Sequence, residues 1–267
     1  MMKHAFAAFA ATALVAMAAP TQAATVAGFD GNTVPACDDC FVGPAALGFS
    51  ANFYGTTYAN TFVSNNGYVT FGSGQGSFTP EGLGAGYAGL PIIAAFFTDL
   101  DTRSAPAGTS VTYGTGTFGG RNAFGVNYDR VGQFAQNYSA LNTFQILLVD
   151  RGDTGTGNFD IVFNYDDIQF GRNASAGYNA GQPGNPAGTY YELPGSLSGE
   201  AFTNGGANSL VNNSNVGVDG RYVFSVRGGM VTPGVPEPGT WALLILGFGS
   251  IGAAMRRRSQ AVRVSFA

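Results

Sequence analysis

Two short groups of acidic residues have the types and spacing that could do chemistry in this sequence. Asp99 and Asp101 lie two residues apart at the end of an apolar run, so both would face the same side of a strand end. The second group gathers around one predicted hairpin loop and consists of Asp150, Asp153, Asn158 and Asp160. Oxygen-rich loops of this kind can hold Ca²⁺, although neither spacing fits an EF-hand. We therefore predict turn capping for both groups and no metal or other cofactor, with a calcium site at either group as the alternative.

A catalytic use of the carboxylates is not singled out by any pattern. A glycosidase would need two of them opposed across a cleft. The candidates are Asp99, Asp101, Asp166, Asp167, Glu81, Glu192 and Glu200, and nothing selects a pair. Asp153-Thr-Gly155 is one copy of a loop that an aspartic protease needs twice. Gly114 to Gly119 fits G-x-G-x-x-G, but a strand pattern follows instead of a helix, which favours a glycine-rich turn. We predict no catalytic residues.

Histidine and lysine are almost missing from the chain. Its 267 residues include one histidine, His4, and one lysine, Lys3. Everything beyond them therefore lacks a Ser-His-Asp triad, a Cys-His dyad, histidine metal ligands and a Schiff-base lysine. Residues 24–235 contain seven arginines and fifteen acidic residues, which gives a formal charge of −8. Nucleic acid is excluded as a partner, because phosphate contacts need clustered cations.

Cys37 and Cys40 are the two cysteines, and they enclose two aspartates. In an oxidising compartment this spacing indicates a small structural disulfide that closes a turn. Free or metal-binding thiols are the alternative.

The first 23 residues are typical of a secretory signal peptide. A short positive start precedes residues 5–19, which are apolar except for Thr12, and small residues surround the predicted signal peptidase site between Ala23 and Ala24. A retained membrane anchor is the alternative, but Pro20 ends a run that is short for a bilayer.

The other end of the chain carries a second targeting pattern, which we place at residues 236–258. It begins with Pro236, Glu237, Pro238 and Trp241, continues as an apolar, transmembrane-like helix over 241–255, and ends in Arg256, Arg257 and Arg258. The arginines predict that the C-terminus stays cytoplasmic while the body lies outside. This order resembles the PEP-CTERM sorting signal of Gram-negative bacteria, in its PEPxxWA form. The resemblance implies that an exosortase removes the tail; a plain tail anchor with a proline hinge is the alternative.

Between the two ends, period-two alternation predicts strands. Phe159, Ile161, Phe163 and Tyr165 alternate with polar residues, and the run from 90 to 100 suits a strand that is buried on both faces. Further strands are predicted at 46–54, 59–63, 67–72, 109–113, 122–128, 141–150 and 222–227. Residues 171–189 are polar and glycine-rich, which indicates a surface loop, and 228–235 would form a flexible linker. The fold class is therefore all-β, an antiparallel β-sandwich over 24–227.

Several blocks of this body resemble the nidogen-like (NIDO) extracellular domain. They are 52–72, 90–103, 122–132, 141–170 and 217–227, and they depart from the family pattern at Ala95, where proline is common, and at Thr98, where alanine is common. The resemblance implies an extracellular module of adhesion or matrix proteins and no reaction. We therefore expect a non-enzymatic protein, secreted or at the cell surface after a transient stay in the inner membrane. It would act in adhesion, biofilm or exopolysaccharide association, with a matrix polysaccharide or a surface protein as its ligand. A carbohydrate-active enzyme or lectin is the alternative.

Overall fold

A computed structural model describes residues 25–233 and 247–250 and confirms the all-β prediction. Residues 25–233 form strands in two antiparallel sheets and one short 3₁₀ helix, Gly152–Thr154. No helix among them is long and apolar enough to cross a membrane. The predicted signal peptide lies outside the described residues, as does the sorting signal apart from 247–250, which are helical.

The larger sheet has the order β1-β7-β8-β9-β10-β13-β14, with β6 paired to β8, and the smaller one has the order β12-β11-β5-β4-β3-β2. The strands are β1 Asn32–Thr33, β2 Phe41–Phe53, β3 Thr56–Ser64, β4 Tyr68–Thr70, β5 Ile92–Phe97, β6 Leu100–Asp101, β7 Ser110–Phe118, β8 Arg121–Gln133, β9 Asn137–Asp150, β10 Phe159–Ile168, β11 Ser175–Asn179, β12 Tyr190–Glu192, β13 Arg221–Arg227 and β14 Met230–Pro233.

The alternation on β10 places its aromatic residues between the sheets. Phe159, Ile161, Phe163 and Tyr165 are all buried in the main core, because successive side chains of a strand point to opposite faces. Strand β5 is buried throughout, as its continuous apolar run predicts. Its Ile93, Ala95 and Phe96 enter the main core, whereas Ile92, Ala94 and Phe97 pack under the segment that carries Leu83 and Tyr87.

Two buried tyrosines tie the sheets together. The Tyr128 hydroxyl on β8 donates to the Ser64 carbonyl of β3 over 2.7 Å, and the Tyr165 hydroxyl on β10 donates to the Ala95 carbonyl of β5 over the same distance. Both phenols reach across the core from the larger sheet to the smaller one. A buried hydroxyl is costly without a partner, so these bonds fix how the sheets face each other.

Three sequence predictions need correction. Residues 175–179 were expected within a surface loop, yet they form β11, a fully buried strand between β5 and β12. The apolar alternation there is weak, because only Ala176 and Tyr178 of the five residues enter the main core, and the buried Asn179 amide donates to the Leu83 carbonyl. Residues 114–118 are the second half of β7 and not a turn. The predicted linker 228–235 contains β14, which pairs with β13 and extends the sandwich to Pro233.

Candidate functional site

The candidate site is a cluster of three carboxylates, Asp38, Asp39 and Asp99, which we call the aspartate trio. Asp38 and Asp39 lie inside the loop that the Cys37–Cys40 disulfide closes, and Asp99 lies between β5 and β6. One carboxylate oxygen from each residue lies within 4.8 Å of the other two. The structure thus separates Asp99 from its predicted partner Asp101 and joins it to two residues that the sequence analysis did not select.

Asparagines at the end of β3 hold the two halves of the trio together. The Asn65 side chain accepts from the Cys40 backbone N–H (3.0 Å) and donates to the Leu100 carbonyl (2.7 Å). The Asn66 side chain accepts from the Leu100 N–H (2.8 Å) and donates to an Asp39 carboxylate oxygen (3.0 Å). The disulfide loop and the β5–β6 corner are therefore positioned by the same two amides.

The electrostatics of the trio disfavour three negative charges. Burial raises the pKa of Asp99 to about 6, and the nearby carboxylates Asp39 and Asp38 add to the effect. Burial also raises the pKa of Asp38, and Asp101 contributes, although Arg103 opposes it. The Oδ1 atoms of Asp38 and Asp99 are both buried and accept no hydrogen bond. A divalent cation is the kind of group that would satisfy both oxygens and relieve the repulsion.

Asp101 has a different environment from Asp99, two residues away. Its side chain is fully buried and accepts hydrogen bonds from the Arg103 backbone, from the Arg103 guanidinium and from the Gln136 N–H. Burial alone would raise the pKa of Asp101, but the hydrogen bonds from Arg103 and Gln136 outweigh it, so the pKa is lowered. Asp101 is thus a charged carboxylate with a structural role. The Arg103 guanidinium also forms an ion pair with the Asp38 carboxylate, at 2.7 Å.

The second candidate calcium group is an ion-pair network. Asp160 contacts Arg151 and Arg227, each at 2.7 Å, and Asp153 contacts Arg121 at 2.7 Å. Asp150 accepts from the Gly152 N–H, and Asn158 accepts from the Gly228 N–H. Arginines and turn amides therefore occupy these oxygens.

The remaining predicted site residues divide into two sets. Cys37 and Cys40 are joined as a disulfide with their Cα atoms 6.0 Å apart. Those at the two ends lie outside the described residues, namely Ala23, Ala24, Pro236, Glu237, Pro238, Trp241, Arg256, Arg257 and Arg258. The aspartate doublet between the cysteines was the available signal for Asp38 and Asp39, because a two-residue loop closed by a disulfide fixes its side chains on the surface.

The disulfide-closed loop of this all-β sandwich is typical of domains in an oxidising, extracellular environment. The model of the nidogen-like domain matches residues 59–228, and the model of the PEP-CTERM protein-sorting motif matches 234–258. The chain belongs to the nidogen-like domain family. It therefore represents a secreted or cell-surface protein, and its sorting motif implies processing by an exosortase.

Curated relatives support this assignment. The chain is 26% identical to human alpha-tectorin over 234 residues, which cover 74% of the chain and 10% of that protein. It is 27% identical to Drosophila melanogaster nidogen over 206 residues, which cover 66% of the chain and 14% of that protein. The chain thus spans only about a tenth to a seventh of these relatives. No solved structure matches it significantly.

Proposed function

We propose that this chain is an exported, non-enzymatic protein whose nidogen-like body associates with the extracellular matrix and promotes cell attachment or biofilm formation. One observation carries the proposal: the nidogen-like domain is followed almost at once by a surface-sorting motif in the same chain. An extracellular binding module that is delivered to the cell surface is suited to hold cells to their matrix. The body also lacks histidine and lysine, which removes the commonest catalytic bases and nucleophiles.

The export route forms part of the proposal. Signal peptidase would cut between Ala23 and Ala24, the segment 241–255 would pause in the inner membrane with Arg256 to Arg258 in the cytoplasm, and an exosortase would then release the body. The protein recovered from the cell envelope is expected to begin at Ala24 and end near Pro236 to Pro238. Intact mass spectrometry checks this, and finding Trp241 to Arg258 still attached would contradict the cleavage.

The negative charge of the body gives Ca²⁺ a role in the proposed binding. A body with a formal charge of −8 repels an acidic exopolysaccharide, and a divalent cation that bridges the two would turn this repulsion into attraction. We assign that cation to the aspartate trio, with Asp99 as the residue that the sequence already suggested. The two buried, unpartnered carboxylate oxygens support this assignment.

Deleting the gene is expected to leave growth in liquid culture unchanged but to reduce surface attachment, and Ca²⁺ should strengthen the attachment of the parent strain while a chelator weakens it. Complementation with Asp99→Asn should restore attachment without the calcium response, whereas Asp150→Asn, outside the trio, should restore both. Normal attachment of the deletion strain, together with glycan hydrolysis by the purified protein, would favour an enzyme instead. An unchanged calcium response in Asp99→Asn would remove the trio from the proposal.

A further inference from the structure

A second feature lies where the edge strand β12 of the smaller sheet approaches β13 of the larger one. It is a cleft of about 240 Å³, lined by Tyr191 from β12, Tyr222 from β13, and Pro194, Asn208 and Asn213 from the segment between them. We propose that this tyrosine cleft binds one neutral sugar ring. The inference rests on the proposed function for the source of that sugar, a polysaccharide of the matrix.

The two aromatic walls of the cleft are held in place by the core. The Tyr191 ring stacks on Tyr178 with centroids 6.0 Å apart and packs against Phe224 at 5.5 Å. The Tyr222 ring packs edge-on against Tyr165 at 5.8 Å. Such contacts fix the orientation of the rings before a ligand arrives, which lowers the entropic cost of binding.

The cleft also presents hydrogen-bonding groups to a ligand. Tyr191, Tyr222 and Asn208 contribute two phenol hydroxyls and a side-chain amide to its lining. The core tyrosines Tyr128 and Tyr165 both donate to backbone carbonyls. The phenols and the amide at the wall of the cleft can instead donate to and accept from a ligand that displaces water there.

The remaining wall is rigid and uncharged. The Asn215 side chain bonds both the N–H and the carbonyl of Val223 at 2.8 Å, and the Ser214 hydroxyl accepts from the Val216 N–H at 2.9 Å. These bonds fasten the segment that carries Asn213 to β13. No charged side chain lines the cleft, so a uronic acid would find no counterion there.

A neutral pyranose fits this chemistry. It offers an apolar C–H face to an aromatic ring and several hydroxyls to phenol and amide groups, which both donate and accept. Sites for drug-sized ligands measure about 300–1,000 Å³, so this smaller cleft suits a single ring. Further sugars of a chain would extend into solvent from its open side.

The test is isothermal titration calorimetry of the full chain with glucose, galactose, mannose and N-acetylglucosamine, and with glucuronate as the charged comparison. At least one neutral sugar should bind saturably, and glucuronate more weakly. Tyr191→Phe, which keeps the ring contacts and removes the hydroxyl, should weaken binding about three- to tenfold, as should Asn208→Ala, because each loses one neutral hydrogen bond. Tyr190→Phe is the matched control, since the neighbouring side chain on β12 points to the opposite face and should leave binding unchanged.

Circular dichroism would verify that each variant is folded. If Tyr191→Phe does not fold, Asn208→Ala alone tests the cleft. No saturable binding of any neutral sugar would overturn the inference, as would binding that neither variant weakens, or tighter binding of glucuronate than of its neutral counterpart. Attachment that still depends on the gene would in that case leave the proposed function standing. Sugar binding by the protein without an attachment defect in the deletion strain would support the cleft and contradict the proposed function.

Discussion

Gly67→Ala is expected to destabilise the body by at least about 4 kcal/mol and to lower its melting temperature by roughly 8–16 °C. Gly67 has a φ of +85°, and a Cβ atom there would overlap the Phe96 carbonyl group of β5. The Gly67 carbonyl also accepts the N–H groups of Ala95 and Phe96. The substitution would therefore push β5 away from the turn that carries Asn66, and the aspartate trio would lose its scaffold with it.

Gly72→Ala is the matched control for this prediction. Gly72 has a similar φ of +81°, but a Cβ atom there would meet no other atom within 4 Å. Only the left-handed backbone conformation is then penalised, at about 1–2 kcal/mol. Thermal unfolding followed by circular dichroism compares the two variants. Equal losses of stability would show that the close approach to Phe96 does not constrain the fold.

Asp101→Asn is expected to cost about 2–3 kcal/mol at pH 7, whereas Asp99→Asn, two residues earlier, should stabilise the protein by about 1 kcal/mol without added calcium. Asp101 is a buried anion with an arginine partner, and removing one member of such a pair is strongly destabilising. The half-exposed Arg103 retains Asp38 as a partner, which moderates the loss. Burial and the acidic neighbours destabilise the charged form of Asp99, and an asparagine at this position carries no charge. The expected gain is held to about 1 kcal/mol because solvent reaches part of the group and screens the charge.

The two substitutions also have opposite pH dependences. The folded pKa of Asp101 is lowered, so its contribution is present above the unfolded value of about 3.8 and is lost as the pH falls through the folded pKa. The folded pKa of Asp99 is raised to about 6, so the native state holds the proton longer, and stability falls as the pH rises from about 4 to 6. The gain from Asp99→Asn should therefore vanish near pH 4.

Urea unfolding at pH 4, 5.5 and 7 in the presence of a chelator would measure both effects. Asp150→Asn, at an exposed turn, controls for the general loss of a negative charge. Stabilisation by Asp101→Asn at pH 7, or a pH-independent effect of Asp99→Asn, would contradict the assigned roles.

The sandwich could be predicted because its long strands obey simple patterns. The alternation on β10 and the continuous apolar run of β5 each follow from which faces are buried. Strand β11 could not be predicted in the same way, because only Ala176 and Tyr178 of its five residues carry apolar side chains into the main core, and serine, glycine and asparagine stand between and beside them. Its pairing with β5 and β12 is a long-range contact that local composition does not encode.

The candidate site was only half predictable for a related reason. Asp99 was selected from its spacing to Asp101. Spacing does not reveal that Arg103 neutralises Asp101, or that a distant disulfide loop brings Asp38 and Asp39 to Asp99. The same holds for Tyr191 and Tyr222, which are separated by a long irregular segment and meet only because β12, an edge strand of the smaller sheet, approaches β13 of the larger one. Sites made by tertiary contact between sheets leave little trace in local patterns.

Retention of the purified full chain by isolated extracellular matrix of the producing strain tests the central claim most directly. We predict saturable retention that Ca²⁺ increases, that a chelator reverses, and that occurs without release of soluble sugars from the matrix. The folded variant Asp99→Asn should be retained without the calcium dependence. Failure of the wild-type protein to be retained at any calcium concentration, or steady release of sugars while it is bound, would contradict an adhesive, non-enzymatic role.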